Sequence, residues 1–167
     1  MGVSQKTRRA ILDRWREYVV AGYEPGAARF LEGTDDAFAN PVGAVIARSL
    51  GPIVDWLISA EGEEAMQHAL EEMMAVRSVQ ASSASRAVAF IFALRSAMEE
   101  ARADDAETAL LAEARSRIDE LALRAFDCYA DCRERINAIR MREVQAEKER
   151  MERVIRAMNR HDARVPE

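Results

Sequence analysis

The sequence has little that stops a helix. Seven glycines and four prolines serve 167 residues, so few turns and long helices joined by short loops are expected. From Ala106 to Arg160 there is neither glycine nor proline. Cysteine is almost absent: Cys128 and Cys132 are the two in the chain. The opening Met1 to Lys6 is polar and leads straight into an amphipathic stretch, which excludes a secretory signal. A reducing, cytoplasmic setting and a soluble chain with no membrane span are therefore expected. The formal charge of −5 removes the basic field that general nucleic-acid binding needs. Signatures of catalysis are missing as well. No Gly-rich phosphate loop or nucleophile elbow occurs, nor the Glu-x-x-His of a di-iron bundle. The carboxylates come as neighbours (Glu63-Glu64, Glu71-Glu72, Glu99-Glu100, Asp104-Asp105). Adjacent side chains on a helix point about 100° apart and cannot share one ion. The expectation is a protein that is not an enzyme and needs no cofactor.

What is present suits an all-α fold. Hydrophobic residues make up 49 %, enough for a core, and Ala, Glu, Arg, Leu and Met are good helix formers. A first helix is predicted over about Gln5 to Ala21, with Ile11, Trp15, Tyr18 and Val19 sharing a face. Gly22 and Glu24-Pro25-Gly26 end it. Ala27 to Ala39 is irregular, with Phe30, Leu31 and Phe38 expected to pin it. Asn40-Pro41 opens a second helix to about Ser59, Asn as N-cap and Pro at the first position. Pro52 lies inside it and predicts a kink or short break. A third helix is expected from Glu63 to Val79. A fourth runs from Ala84 to Ala103 behind Ser83 as N-cap, apolar over much of its circumference and so the most buried. Asp104-Asp105 opens the last, breaker-free segment. It can form one long helix or two helices with a bend; as one, at about 1.5 Å per residue, it would reach on the order of 80 Å, longer than a small domain is wide. Two parts follow: a helical body over 1–103, and a long helix over 104–167 that packs on the body at its start and is coiled-coil-like at its end.

One stretch carries a family pattern. Asn40-Pro41-Val42 opens a helix. Met74-Ala75-Val76-Arg77-Ser78-Val79-Gln80 closes another, and Ser82-Ser83-Ala84-Ser85-Arg86 leads into the apolar Ala87 to Leu94 and then Arg95. With Trp15 in the first helix, this resembles the N-terminal domain of RsbRD, a co-antagonist of the RsbT kinase in bacterial stressosomes, over about residues 5 to 103. Ala84 stands where the family often has proline, and a chain without the family's STAS domain is expected. The resemblance implies a globin-like helical bundle without haem, serving as a sensory or interaction module in stress-response signalling. Arg77 and Gln80, from the family's Arg-x-x-Gln, are candidates for a ligand or partner pocket. Against that stands a plainer role: Arg77 completing a helix C-terminus and Gln80 satisfying loop backbone.

The remaining candidates come from spacing. Cys128 and Cys132 lie one helical turn apart and form a weak metal or redox pair, lacking a third ligand at a familiar interval. As small buried hydrophobes they need no further role. His68 reads as a surface residue. The tail is more informative. Asn137, Met141, Val144, Lys148, Met151, Ile155 and Met158 alternate steps of four and three, a heptad seam. Upstream, Ile118, Ala122, Ala125, Tyr129, Cys132, Ile136 and Ile139 follow another frame. The shift near Ile139 to Met141 marks where the helix stops serving the body and starts serving a partner. The expected partner is a second copy of the chain. Met141, Val144, Met151, Ile155 and Met158 would form the dimer interface. The tail also holds ten Arg or Lys against six Asp or Glu between Arg133 and Arg164, but its interspersed glutamates and lack of aromatics weaken a reading as an RNA-binding helix. The function these features favour is regulation or scaffolding through protein–protein interaction, homodimeric, with an unidentified protein partner. A ligand- or redox-sensing helical module is the alternative.

Overall fold

A computed structural model describes residues 2–23, 40–80, 83–101 and 104–162, with side chains to Met158. The described residues form five α-helices and no strand. These are α1 (Gln5–Ala21), α2 (Pro41–Ser59), α3 (Glu63–Gln80), α4 (Ala84–Glu100) and α5 (Asp105–Asp162). The fold is thus all-α with a long C-terminal helix, as the residue pattern predicts. The expected irregular stretch at Ala27 to Ala39, with Phe30, Leu31 and Phe38, lies outside the described residues.

Local chemistry sets the helix ends. The Asn40 side chain accepts from the Gly43 N–H at 2.8 Å, and Pro41 follows at the first helical position. Ser83 accepts from the Arg86 N–H at 3.3 Å, and Asp104 from the Glu107 N–H at 2.8 Å. Each cap satisfies a donor that the helix cannot. Ser4 caps α1 in the same way through the Thr7 N–H. The α2–α3 turn is built differently. Ala60 takes a left-handed conformation at φ 58° and Gly62 follows at φ 75°.

Two expectations concern α2. Of the kink or short break expected at Pro52, the break is absent: the helix runs through it. Ile53, Val54 and Leu57 just beyond are completely buried, and this packing outweighs the one lost hydrogen bond. By length and composition the helix is also apolar enough to cross a bilayer. Its apolar face, from Ile46 through Leu50 to Leu57, is buried in the helical core, where a core helix passes the same test.

The chain divides into two units, Met1–Ala130 and Asp131–Glu167, with α5 running through the boundary. In the first, α1 packs on α4 and α2, α2 pairs with α3, and α3 touches α4. Trp15, Ile53, Leu70, Met73, Ile91 and Leu94 lie fully inside. Phe90, Ile91 and Leu94 are buried as expected of α4, but Phe92 is 47 % exposed. One face of α4 looks out to solvent, so it is not buried all round. The first part of α5 belongs to this core. Leu111, Ala114, Ile118, Leu121, Ala125 and Cys128 are buried at steps of three and four, one helical face.

Candidate functional site

The start of α5 is tied down by a carboxylate between two helix N-termini. Glu107, in the first turn of α5, is nine-tenths buried. It accepts from the Ser4 backbone N–H at 2.6 Å and from the Thr7 hydroxyl at 2.6 Å. The Thr7 hydroxyl first, then Ser4, hold its carboxyl down to about 2. A charged oxygen accepting several hydrogen bonds favours its ionised form. Further along, Arg117 donates to the Leu57 carbonyl at 2.7 Å. Arg124 pairs with Glu63 at 2.7 Å, and its guanidinium lies over the Trp56 ring. Arg95 of α4 pairs with Asp119.

The second unit is different. Cys132 and Ile136, in the upstream frame, are half-buried, and Ile139 is 55 % exposed. From there every described residue is exposed. The heptad residues are Met141 at 68 %, Val144 at 64 %, Met151 at 59 %, Ile155 at 50 % and Met158 at 61 %. The apolar residues of the stripe expected from spacing are therefore exposed along one face, with Lys148 midway between them. Ion pairs along it stay within the helix, as between Arg156 and Glu152 at 3.1 Å.

The two residues taken from the Arg-x-x-Gln pattern part company. Gln80 is exposed. Arg77 is 8 % exposed. It donates to the Ala87 carbonyl at 2.7 Å and the Arg86 carbonyl at 3.2 Å, in the first turn of α4. Its guanidinium lies 4.6 Å from the Phe90 ring centroid and 5.5 Å from that of Tyr23. Phe90 stacks on Trp15, whose indole N–H donates to the Phe90 carbonyl at 2.8 Å. No carboxylate pairs with Arg77 among the described residues. Burial accordingly pushes its pKa down, opposed by Tyr23. The Tyr23 hydroxyl is itself buried without a hydrogen bond among those residues. The periodicity of α3 gives no hint that its last turn turns a cation inward; only the unlike surroundings of Arg77 and Gln80 reveal it.

The other candidates are dispersed. Cys128 is buried, with the Gln67 amide 3.6 Å from its sulfur, and Cys132 is half-buried; no disulfide joins the two. His68 is exposed. Among the described residues, no three His, Cys, Asp or Glu gather where an ion could be held. A cleft of about 330 Å³ opens between the end of α4 and the start of α5, floored by Met98 and Leu111. Glu99, Glu100 and Arg115 also line it.

Compared with known families, residues 9–144 match the model described as the RsbT co-antagonist protein rsbRD N-terminal domain. The match continues some forty residues beyond the segment that carries the sequence pattern, through the packed part of α5 and into the seam. No curated protein and no solved structure matches the chain.

Proposed function

The chain belongs to the RsbRD N-terminal domain family, a family of stressosome-related signalling modules, and from that premise we propose that it is a cytoplasmic regulatory module acting through protein–protein contact rather than catalysis. The contact lies on the distal part of α5 and is made first with a second copy of the chain. The observation that carries this reading is the exposure of Met141, Val144, Met151, Ile155 and Met158 on one face. Fully burying a large apolar side chain is worth roughly 1.5–3 kcal/mol. A two-helix seam buries each only in part, but ten such residues in a pair of chains outweigh the cost of association at micromolar concentration. Sedimentation equilibrium on the whole chain at tens of micromolar tests it. The expected species is a dimer that becomes a monomer when Met151 and Ile155 are both replaced by Asp. A wild-type monomer under those conditions would remove the self-association and leave the stripe for a different protein.

A ligand-sensing role for the body has its own support in Arg77, a cation held against Phe90 and Tyr23 without a carboxylate among the described residues. Arg77→Met separates that role from a structural one. The Arg86 and Ala87 carbonyls also lie within the hydrogen-bonded α4 ladder, so an apolar replacement leaves no acceptor stranded, and a folded variant is expected. Loss of the signalling output in such a folded variant would favour sensing. Intact output would make Arg77 a structural cross-link between α3 and α4.

A further inference from the structure

The charges beside the seam choose between its two possible orientations. In the heptad frame Met141, Lys148 and Ile155 occupy one core position, and Val144, Met151 and Met158 the other. Glu134, one heptad before Met141, is charged and exposed, which closes the seam on that side. Paired in parallel and in register, two chains would set Lys148 against the partner's Lys148. They would also set Glu147 against the partner's Glu152, twice over. Glu152 pairs with Arg156 on its own helix, which softens this repulsion without removing it. The one opposite-charge contact such a seam offers, Lys148 beside the partner's Glu147, offsets only part of this repulsion.

Reversing one chain about a point between Lys148 and Met151 removes the Glu147–Glu152 pairs and moves the two Lys148 side chains out of a shared layer into neighbouring ones. Met141 then layers on the partner's Met158, Val144 on the partner's Ile155, and Lys148 on the partner's Met151. Glu147 faces the partner's Val154, and Gln145 faces the partner's Glu152. Lys148 keeps its stem in the seam, and its ammonium comes beside the partner's Glu152. We infer that a second copy of this chain docks antiparallel on α5, in the register that layers Lys148 on the partner's Met151. This rests on the reading of the stripe as a self-association surface.

Two measurements on the full chain test the orientation separately from the dimer itself. In a Cys132→Ser background, chains carrying Val144→Cys or Ile155→Cys are treated with a short bis-maleimide, alone and mixed. In the antiparallel register, like positions are eleven residues apart along the axis, about 16 Å, whereas 144 and 155 of opposite chains share a layer. The mixture is expected to crosslink several-fold more than either chain alone. Crosslinking of the Val144→Cys chain by itself would overturn the orientation while leaving the dimer standing. So would a dimer in which no sample crosslinks. The second measurement leaves the seam residues untouched. Glu152→Lys turns the repulsion between positions 147 and 152 into an attraction in the parallel form and tightens that dimer. In the antiparallel form the same substitution sets a second ammonium beside the partner's Lys148 and weakens the dimer several-fold. A tighter Glu152→Lys dimer refutes the proposal, and a monomeric wild-type chain removes both it and the reading beneath it.

Discussion

At the residue scale the body is held by a few long-range polar contacts whose strength depends on charge. Glu107 is the clearest. Its carboxyl sits at about 2 because the Thr7 hydroxyl and Ser4 donate to it, against about 4.3 in an unfolded chain. A depressed carboxyl adds stability that is complete above the unfolded value and is lost as pH falls through the folded one. The melting temperature of wild type should therefore exceed that of Glu107→Gln most at pH 6 to 7. The gap should close between about pH 5 and pH 2, as both pKa values are passed. A gap of constant size over that range would mean that Glu107 acts through shape and neutral hydrogen bonds. Its position was not legible in the sequence. Asn40 and Ser83 could be read as caps because their bonds span three residues, whereas Glu107 bonds to Thr7 across a hundred. The burial of Arg77, a candidate only through the family pattern, escaped for the same reason: Tyr23 and Phe90 lie against it from the end of one helix and from another.

At the scale of elements, helix number and limits were legible within a few residues, since apolar spacing and caps are local properties. Which face of a helix meets solvent was less so. Phe92 lies among core residues in the sequence but faces outward beside Arg95, 6.0 Å from its guanidinium. The apolar runs around Pro52 likewise concealed that tertiary packing carries α2 through a residue that breaks isolated helices. The α2–α3 turn gives a prediction of its own. Ala60 closes α2 in a left-handed conformation, its N–H bonded to the Trp56 carbonyl at 2.8 Å, and is exposed. A side chain there costs roughly 1–2 kcal/mol, while glycine costs part of that in unfolded-state entropy. Ala60→Gly should thus raise stability by about 0.5–1 kcal/mol. Denaturant unfolding at unchanged m-value would read it. A loss of stability would mean that glycine's entropy in the unfolded chain outweighs relief at the cap.

For the whole molecule, the change of frame near Ile139 to Met141 could be read in the sequence because a helix face is periodic, and it falls just past the boundary at Ala130. The family match ends at 144, so most of the seam lies beyond the stretch that defines the family. Body and seam should then respond to different variables. The body's core, from Ile11 to Tyr129, is intramolecular, and its stability is expected not to depend on concentration. A lone exposed helix of some twenty to thirty residues is marginal in water, so on the proposed reading the seam would gain its order from association, and a tenfold rise in concentration adds about 1.4 kcal/mol to a dimer. A chain ending at Ile136 is expected to keep the melting temperature of the body at every concentration. The whole chain should add a second transition, read by far-ultraviolet circular dichroism, that moves upward with concentration. If instead the shortened chain melts well below the whole one even when dilute, the distal helix stabilises its own body, and the exposed stripe is not kept free for a partner.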